Sequence, residues 1–282
     1  MRELPFRLLD RLYMGLSRPF GRELRARALL DWRAAQSPAR VEPPEGSLLV
    51  LAPHPDDESI GCGGLILLKP DRAERVRIVL MTGGEQGRPD WTETATARTR
   101  REEMEACRRL LGVAQVHSLP GEDQRLSSQP ELAAPLRELL DGLLPDAVLL
   151  PFFMDAHPDH IATNRIFLEA AHDVLPEGLP VWGYEVWSHC PANVAVDISA
   201  VIDQKRAAIA VHASQDRRMN YAEAIAGLNR YRAMQINWRG ESDLTHAEAY
   251  VRMALREYRR AAEAWFSRTG VPAEPAKSEG AP

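Results

Sequence analysis

Cysteine is scarce in this 282-residue chain, and Cys62, Cys107 and Cys190 are the only three. They are odd in number, dispersed and never spaced as CxxC, which argues against a disulfide framework and a thiolate metal cage and fits a reducing compartment. Long apolar runs are missing as well. The longest, Ala147 to Met154, has eight residues and contains Pro151, far short of the roughly 20 that a spanning helix needs. Arg7, Asp10 and Arg11 interrupt any apolar segment at the N-terminus and no small-residue cleavage site follows, so a signal peptide is not expected and the cytoplasm is. Nor is there a basic excess: 35 Lys and Arg stand against 40 Asp and Glu, net −5, which leaves no global field for nucleic-acid phosphates. With 45% apolar and 27% charged residues, the composition is that of an ordinary folded protein.

Charge is nevertheless uneven. Up to Val41 there are nine Arg against four acids, and Leu4, Leu8, Leu12 and Leu16 recur every four residues, the pattern of a short amphipathic helix ended by Pro19. A second helical pattern passes through Leu24, Leu29 and Trp32, followed by a Pro-containing linker, Ser37 to Gly46. Residues 1–46 therefore read as a basic helical arm and linker. It suits packing on the acidic main domain, peripheral contact with an anionic membrane surface, or contact with a second subunit in an oligomer. Residues 47–268 read as the main domain and 269–282, rich in Pro, Ala, Gly and Glu, as a loose tail.

Within the main domain short apolar runs alternate with helical segments. Strands are expected at Leu48 to Ala52, Val76 to Met81, Gln115 to Leu119, Ala147 to Phe152, Val181 to Val186 and Asn193 to Ile198. Helices are expected between them at Gly64 to Leu68, Glu93 to Leu111, Glu131 to Leu143 and Ile161 to Val174, then at Ser199 to Ala213, Tyr221 to Met234 and Thr245 to Phe266. Such a succession predicts an α/β fold, a mostly parallel doubly wound Rossmann-like sheet flanked by helices.

Ligands in such folds bind beyond the carboxyl ends of the strands, and two strand-end loops carry the chemistry. The first, PHPDDESIGCGG, brings His54, Asp56 and Asp57 to the end of the first strand. The second, the HPDH segment His157 to His160, opens a helix. Two imidazoles and one carboxylate suit a divalent ion such as zinc, and three protein ligands leave a position for water. The doublet Asp56, Asp57 can then supply one ligand and one base. A second histidine held in its tautomer can meet developing negative charge, a role that His157 oriented by Asp159 fits. Taken singly, Asp56 or Asp57 could instead cap the first helix and Asp159 the second. Gly61, Gly63 and Gly64 form no phosphate-binding pattern and suit a close approach of helix to sheet. Cys62, His117, His172, His189, His212 and His246 read as packing or surface residues.

The segments PHPDDE (Pro53 to Glu58), Thr82-Gly83-Gly84-Glu85 and HPDH, in that order, resemble the LmbE-like (PIG-L) family of zinc-dependent de-N-acetylases over about Ser47 to Gln215. The resemblance implies removal of acetyl from an N-acetylglucosamine-type conjugate. It implies His54, Asp57 and His160 as metal ligands, with ferrous iron an acceptable substitute for zinc, Asp56 as general base, and His157 backed by Asp159 as oxyanion stabiliser. Arg100 and Asp123 resemble substrate-binding residues, although an R-x-x-E ion pair with Glu103 also accounts for Arg100. Some relatives carry a tyrosine where this chain has Asp155, so no role transfers there. Trp187 suits either stacking on a sugar or core packing. Hydrolysis of a different N-acyl or thiol-conjugate amide, and a non-catalytic metal-containing binding module, are the alternatives.

Overall fold

The structure, a computed structural model, describes residues 38–269 apart from 217, 218, 238, 239 and 241. The helical patterns through Leu4–Leu16 and Leu24–Trp32, and the expected tail beyond Thr269, lie outside the described residues. The chain forms β1 (Ala39–Val41), β2 (Leu48–Ala52), α1 (Asp57–Leu68), α2 (Arg72–Arg75), β3 (Val76–Thr82), α3 (Glu93–Leu111), β4 (Gln115–Gly121), α4 (Ala133–Leu143), β5 (Ala147–Pro151) and α5 (Pro158–Ala170). Then come β6 (Pro180–Tyr184), β7 (Val194–Asp197), α6 (Ile202–Ala210), α7 (Tyr221–Ile236), β8 (Ala247–Ala254) and α8 (Leu255–Thr269). Among the described residues no helix is long and apolar enough to cross a membrane.

All eight strands of the described residues join one sheet in the order β1-β7-β8-β6-β5-β2-β3-β4. Pairing is parallel except where β8 runs antiparallel to β6 and β7. The central strands LLVLA and AVLLP are buried at every position, as parallel strands covered on both faces require. One apolar cluster, including Leu51, Phe153 and Tyr258, fills one face; the other holds Val50, Leu65 and Trp182. From β2 the chain winds outward through β3 and β4, then returns to place β5 on the other flank of β2. The carboxyl ends of β2 and β5 thus border the point where strand order reverses, the crevice in which doubly wound sheets bind ligands.

Three elements depart from expectation. Ala247–Ala254 is a strand, not part of a helix from Thr245. Its residues AEAYVRMA are mostly strong helix formers, but the gap between β6 and β7 satisfies both edges of an extended segment, and tertiary pairing overrides propensity. The Ser37–Gly46 linker contributes Ala39–Val41 as an edge strand beside β7. Helix α1 also begins earlier than expected, at Asp57, with Asp57 and Glu58 facing the positive end of the helix dipole. Gly61 lets it lie against the ring of Tyr184, where a Cβ would collide.

Helix α1 is anchored by a buried carboxylate. Glu248 on β8 accepts from the amides of Gly64 and Leu65, both at 2.7 Å, from Tyr250 Oη at 2.6 Å, and from Lys205 Nζ at 2.6 Å. Lys205 is fully buried. Replacing it with Met leaves Glu248 uncompensated, so Lys205→Met is expected to lower the unfolding free energy by about 3–5 kcal/mol, measured by urea denaturation.

Candidate active site

The loop after β2 is fixed before it offers any chemistry. Thr82, at the end of β3, donates to the Pro53 carbonyl from both its amide (3.1 Å) and its hydroxyl (2.9 Å). Asp56 then adopts φ 140°, a region that non-glycine residues enter at a cost of about 1–3 kcal/mol and that is concentrated at functional sites. Its carbonyl accepts from Ser59 and Ile60 and so starts α1, while its side chain makes no capping bond. The carboxylate instead faces a cavity, with Oδ2 3.1 Å from the Arg100 guanidinium.

In the loop after β5 the cap is a histidine. His157 Nδ1 accepts from the Asp159 amide at 3.2 Å, and Pro158 takes the first helical position. This main-chain bond leaves the proton of a neutral His157 on Nε2. The Asp159 carboxylate neither caps α5 nor orients His157, which corrects both expectations. It turns away to accept from Gln124 N (2.6 Å) and Leu126 N (3.2 Å), and lies 3.1 Å from His54 Nε2. The reason is spatial: the β4–α4 loop crosses the mouth of α5 and presents two free amides to the buried carboxylate.

Asp57 joins the two loops. Its Oδ2 stands 3.2 Å from His54 Nδ1 and 3.3 Å from His160 Nε2. Ligands bonded at 2.0–2.1 Å around a tetrahedral ion are about 3.3–3.4 Å apart, so these spacings match two edges of a zinc site. Both ring nitrogens of fully buried His160 lack a hydrogen-bond partner, an expensive arrangement unless another group engages them. Each imidazole also has a carboxylate behind it: Asp159 and Asp123, each 3.1 Å from His54 Nε2, and Asp155 Oδ1, 3.4 Å from His160 Nδ1. Carboxylates so placed fix ring orientation and tautomer at metal sites. These residues fit a divalent cation. Since loss of such a support typically costs 10–100-fold in metal affinity, Asp159→Asn is expected to weaken zinc binding by about that factor in competition with a chromogenic chelator.

The local field also favours positive charge. Burial disfavours the His54 imidazolium, yet Asp123, Asp159 and Asp57 outweigh it and raise His54 well above its ordinary pKa. Burial likewise opposes a charged His160, but Asp57 and Asp155 bring it to about 9. Asp57 shows the reciprocal effect, burial pushing it up while His160 and His54 hold it well below the carboxylate range. Asp56 is raised to about 6, by burial against the opposing pull of Arg100 and with added repulsion from Asp57. His157 is lowered by burial and by the neighbouring His54 and His160, which keeps it neutral near pH 7.

A cavity of about 160 Å³ opens over this cluster, and its wall includes Asp56, Arg100, Asp123, His157, Trp187 and Tyr221. Arg100 reaches it almost wholly buried, donating to Pro55 O (2.7 Å) and Gly84 O (3.2 Å). The alternative helix-face pair with Glu103 does not form, because Glu103 accepts from Ser214 N (2.7 Å) and Oγ (2.6 Å). Asp123 also lines the cavity, but one oxygen faces His54 and the other accepts from Gln86 N at 2.9 Å. Trp187 is 57% exposed, so it is not a core residue. Sequence reasoning missed Asp155 behind His160, Tyr221 and Gln215 at the cavity wall, and His212, buried 3.8 Å from Glu58. The only signal for Asp155 was its place two residues before His157.

The fold and this cluster define a class, an α/β protein with a His-Asp-His site at its switch point. The family profile for GlcNAc-PI de-N-acetylase (PIG-L) matches residues 49–171. Over 187 residues the chain is 30% identical to diacetylchitobiose deacetylase of Thermococcus kodakarensis, covering 60% of this chain and 69% of that protein. Solved structures agree: N,N'-diacetylchitobiose deacetylase from Pyrococcus horikoshii superposes with TM-score 0.63 at 26% identity, covering 79% of this chain and 86% of that one. A 4-carboxy-2-hydroxymuconate hydratase from Pseudomonas putida shares the fold, with TM-score 0.65 at 22% identity over 74% of this chain and 96% of that one. The chain belongs to the PIG-L (LmbE-like) family.

Proposed function

We propose that the protein is a metal-dependent hydrolase that removes acetyl from an N-acetylglucosamine-type sugar conjugate, with His54, Asp57 and His160 holding zinc or ferrous iron. One observation carries this reading: Asp57 Oδ2 lies 3.2 and 3.3 Å from two imidazole nitrogens, beneath a cavity that also admits Asp56 and His157. A divalent cation there supplies Lewis acidity and lowers the pKa of nearby water.

The chain's own groups supply the rest. Asp56, with a pKa of about 6, is ionised at neutral pH and takes a proton from the water that attacks the acyl carbon. Arg100 holds that carboxylate at the cavity wall. As the new C–O bond forms, charge gathers on the acyl oxygen, and neutral His157 donates its Nε2–H to it. Asp56 then returns the proton to the departing nitrogen, so that the C–N bond breaks to give acetate and a primary amine. Asp123 faces the cavity with lone pairs still free to accept a sugar hydroxyl.

The chitobiose deacetylase relatives support the substrate class, while the hydratase relative requires a test that separates the chemistries. Among the described residues three aspartates line the cavity, and the one guanidinium, that of Arg100, is paired with Asp56, a lining suited to a neutral polyol more than to a polyanion. Incubating the zinc-loaded protein with N,N'-diacetylchitobiose should release acetate and a primary amine in equal amounts. A chelator should abolish release and added zinc restore it. Failure to release acetate from a panel of N-acetylated sugars at full metal loading would refute the reading.

A further inference from the structure

We propose that Trp187 and Tyr221 form an aromatic platform at the cavity mouth that binds a second sugar ring, joined to the acetylated one, and so selects conjugates over the free monosaccharide. This deepens the deacetylase reading and rests on it for the identity of the first ring. Trp187 exposes 57% of its surface although it follows a central strand, and it meets Tyr221 edge to face with ring centroids 6.2 Å apart and planes at 89°. Both rings line the same cavity as Asp56 and His157, so whatever enters for reaction passes against them.

Position and size choose the occupant. The amides of Trp187 and Ser188 donate to Asp155 Oδ2 at 3.0 and 3.3 Å, while Asp155 Oδ1 lies 3.4 Å from the ring of His160. One carboxylate thus spaces the platform from the cluster, and a loop tied in this way holds its aromatic at a fixed reach. The cavity measures about 160 Å³, smaller than the ~300–1,000 Å³ that encloses a drug-sized ligand. A two-ring conjugate therefore leaves its second ring on the rim. A pyranose presents an apolar face of C–H bonds that matches the electron-rich face of an indole, while its hydroxyls point outward to water.

The test compares N,N'-diacetylchitobiose with N-acetylglucosamine on the full chain, by titration calorimetry with metal-free protein and by steady-state turnover with zinc-loaded protein. Wild type should bind the disaccharide at least about ten-fold more tightly, and Trp187→Ala should reduce that preference to about two-fold, a loss on the scale of one aromatic contact. In turnover the same variant should raise KM for the disaccharide about five-fold with kcat changed less than about two-fold, since the contact is made equally in ground and transition states. Trp187→Phe should recover most of the preference, which separates stacking from a folding defect. Equal wild-type affinity for both sugars, or equal weakening of both by Trp187→Ala, would overturn the platform. Trp187-dependent binding without amine release would sink the deacetylase reading and leave the platform standing; amine release indifferent to Trp187 would do the reverse.

Discussion

Asp56→Asn should lower kcat by about 100- to 10,000-fold, the usual worth of a positioned general base, while the zinc content of the protein stays at one per chain. The amide keeps the shape and can still meet Arg100, but it cannot accept a proton. Metal retention follows from geometry: Asp57, not Asp56, approaches both imidazoles. The backbone provides a companion result. At φ 140° any side chain is strained and glycine is not, so Asp56→Gly should unfold at a higher temperature than Asp56→Ala, by about 1 kcal/mol in stability, although both lack the carboxylate. If Asp56→Asn turned over like wild type, proton transfer would have to be assigned to another group.

His160→Ala should remove the metal and the activity together. Its ring is fully buried, both nitrogens lack hydrogen-bond partners, and the carboxylates of Asp57 and Asp155 stand 3.3 and 3.4 Å from them. Taking it away leaves two anions facing an empty pocket, and the remaining two ligands cannot hold an open tetrahedral site. Zinc measured after gel filtration should fall below about a tenth of an equivalent, the outcome expected for losing one of three protein ligands. His172→Ala, at an exposed histidine paired with Asp173, should leave both metal and turnover at wild-type values. Full zinc retention by His160→Ala would remove this residue from the ligand set.

Much of this site was legible in the sequence because its parts are local. His54, Asp56 and Asp57 lie within four residues after a fully apolar strand, and His157 and His160 open one helix. Periodicity finds such strands and loops, and the α/β alternation identifies the sheet that brings the loops together. The roles of Asp159 and Asp123 were not legible, since each depends on a partner distant along the chain. Asp159 serves His54, 105 residues away, and its amide rather than its carboxylate fixes His157. Arg100 reads as a partner of Glu103 from spacing alone, but the cavity and the Pro55 and Gly84 carbonyls take it instead. Strand β8 was hidden by its own helix-forming residues, and nothing short of the gap between β6 and β7 could reveal it.

Crystals grown with zinc and measured on both sides of its absorption edge test the account most directly. A single anomalous peak is expected within about 2.0–2.3 Å of His54 Nδ1, His160 Nε2 and a carboxylate oxygen of Asp57. A fully occupied peak that leaves any one of the three beyond bonding distance would contradict it.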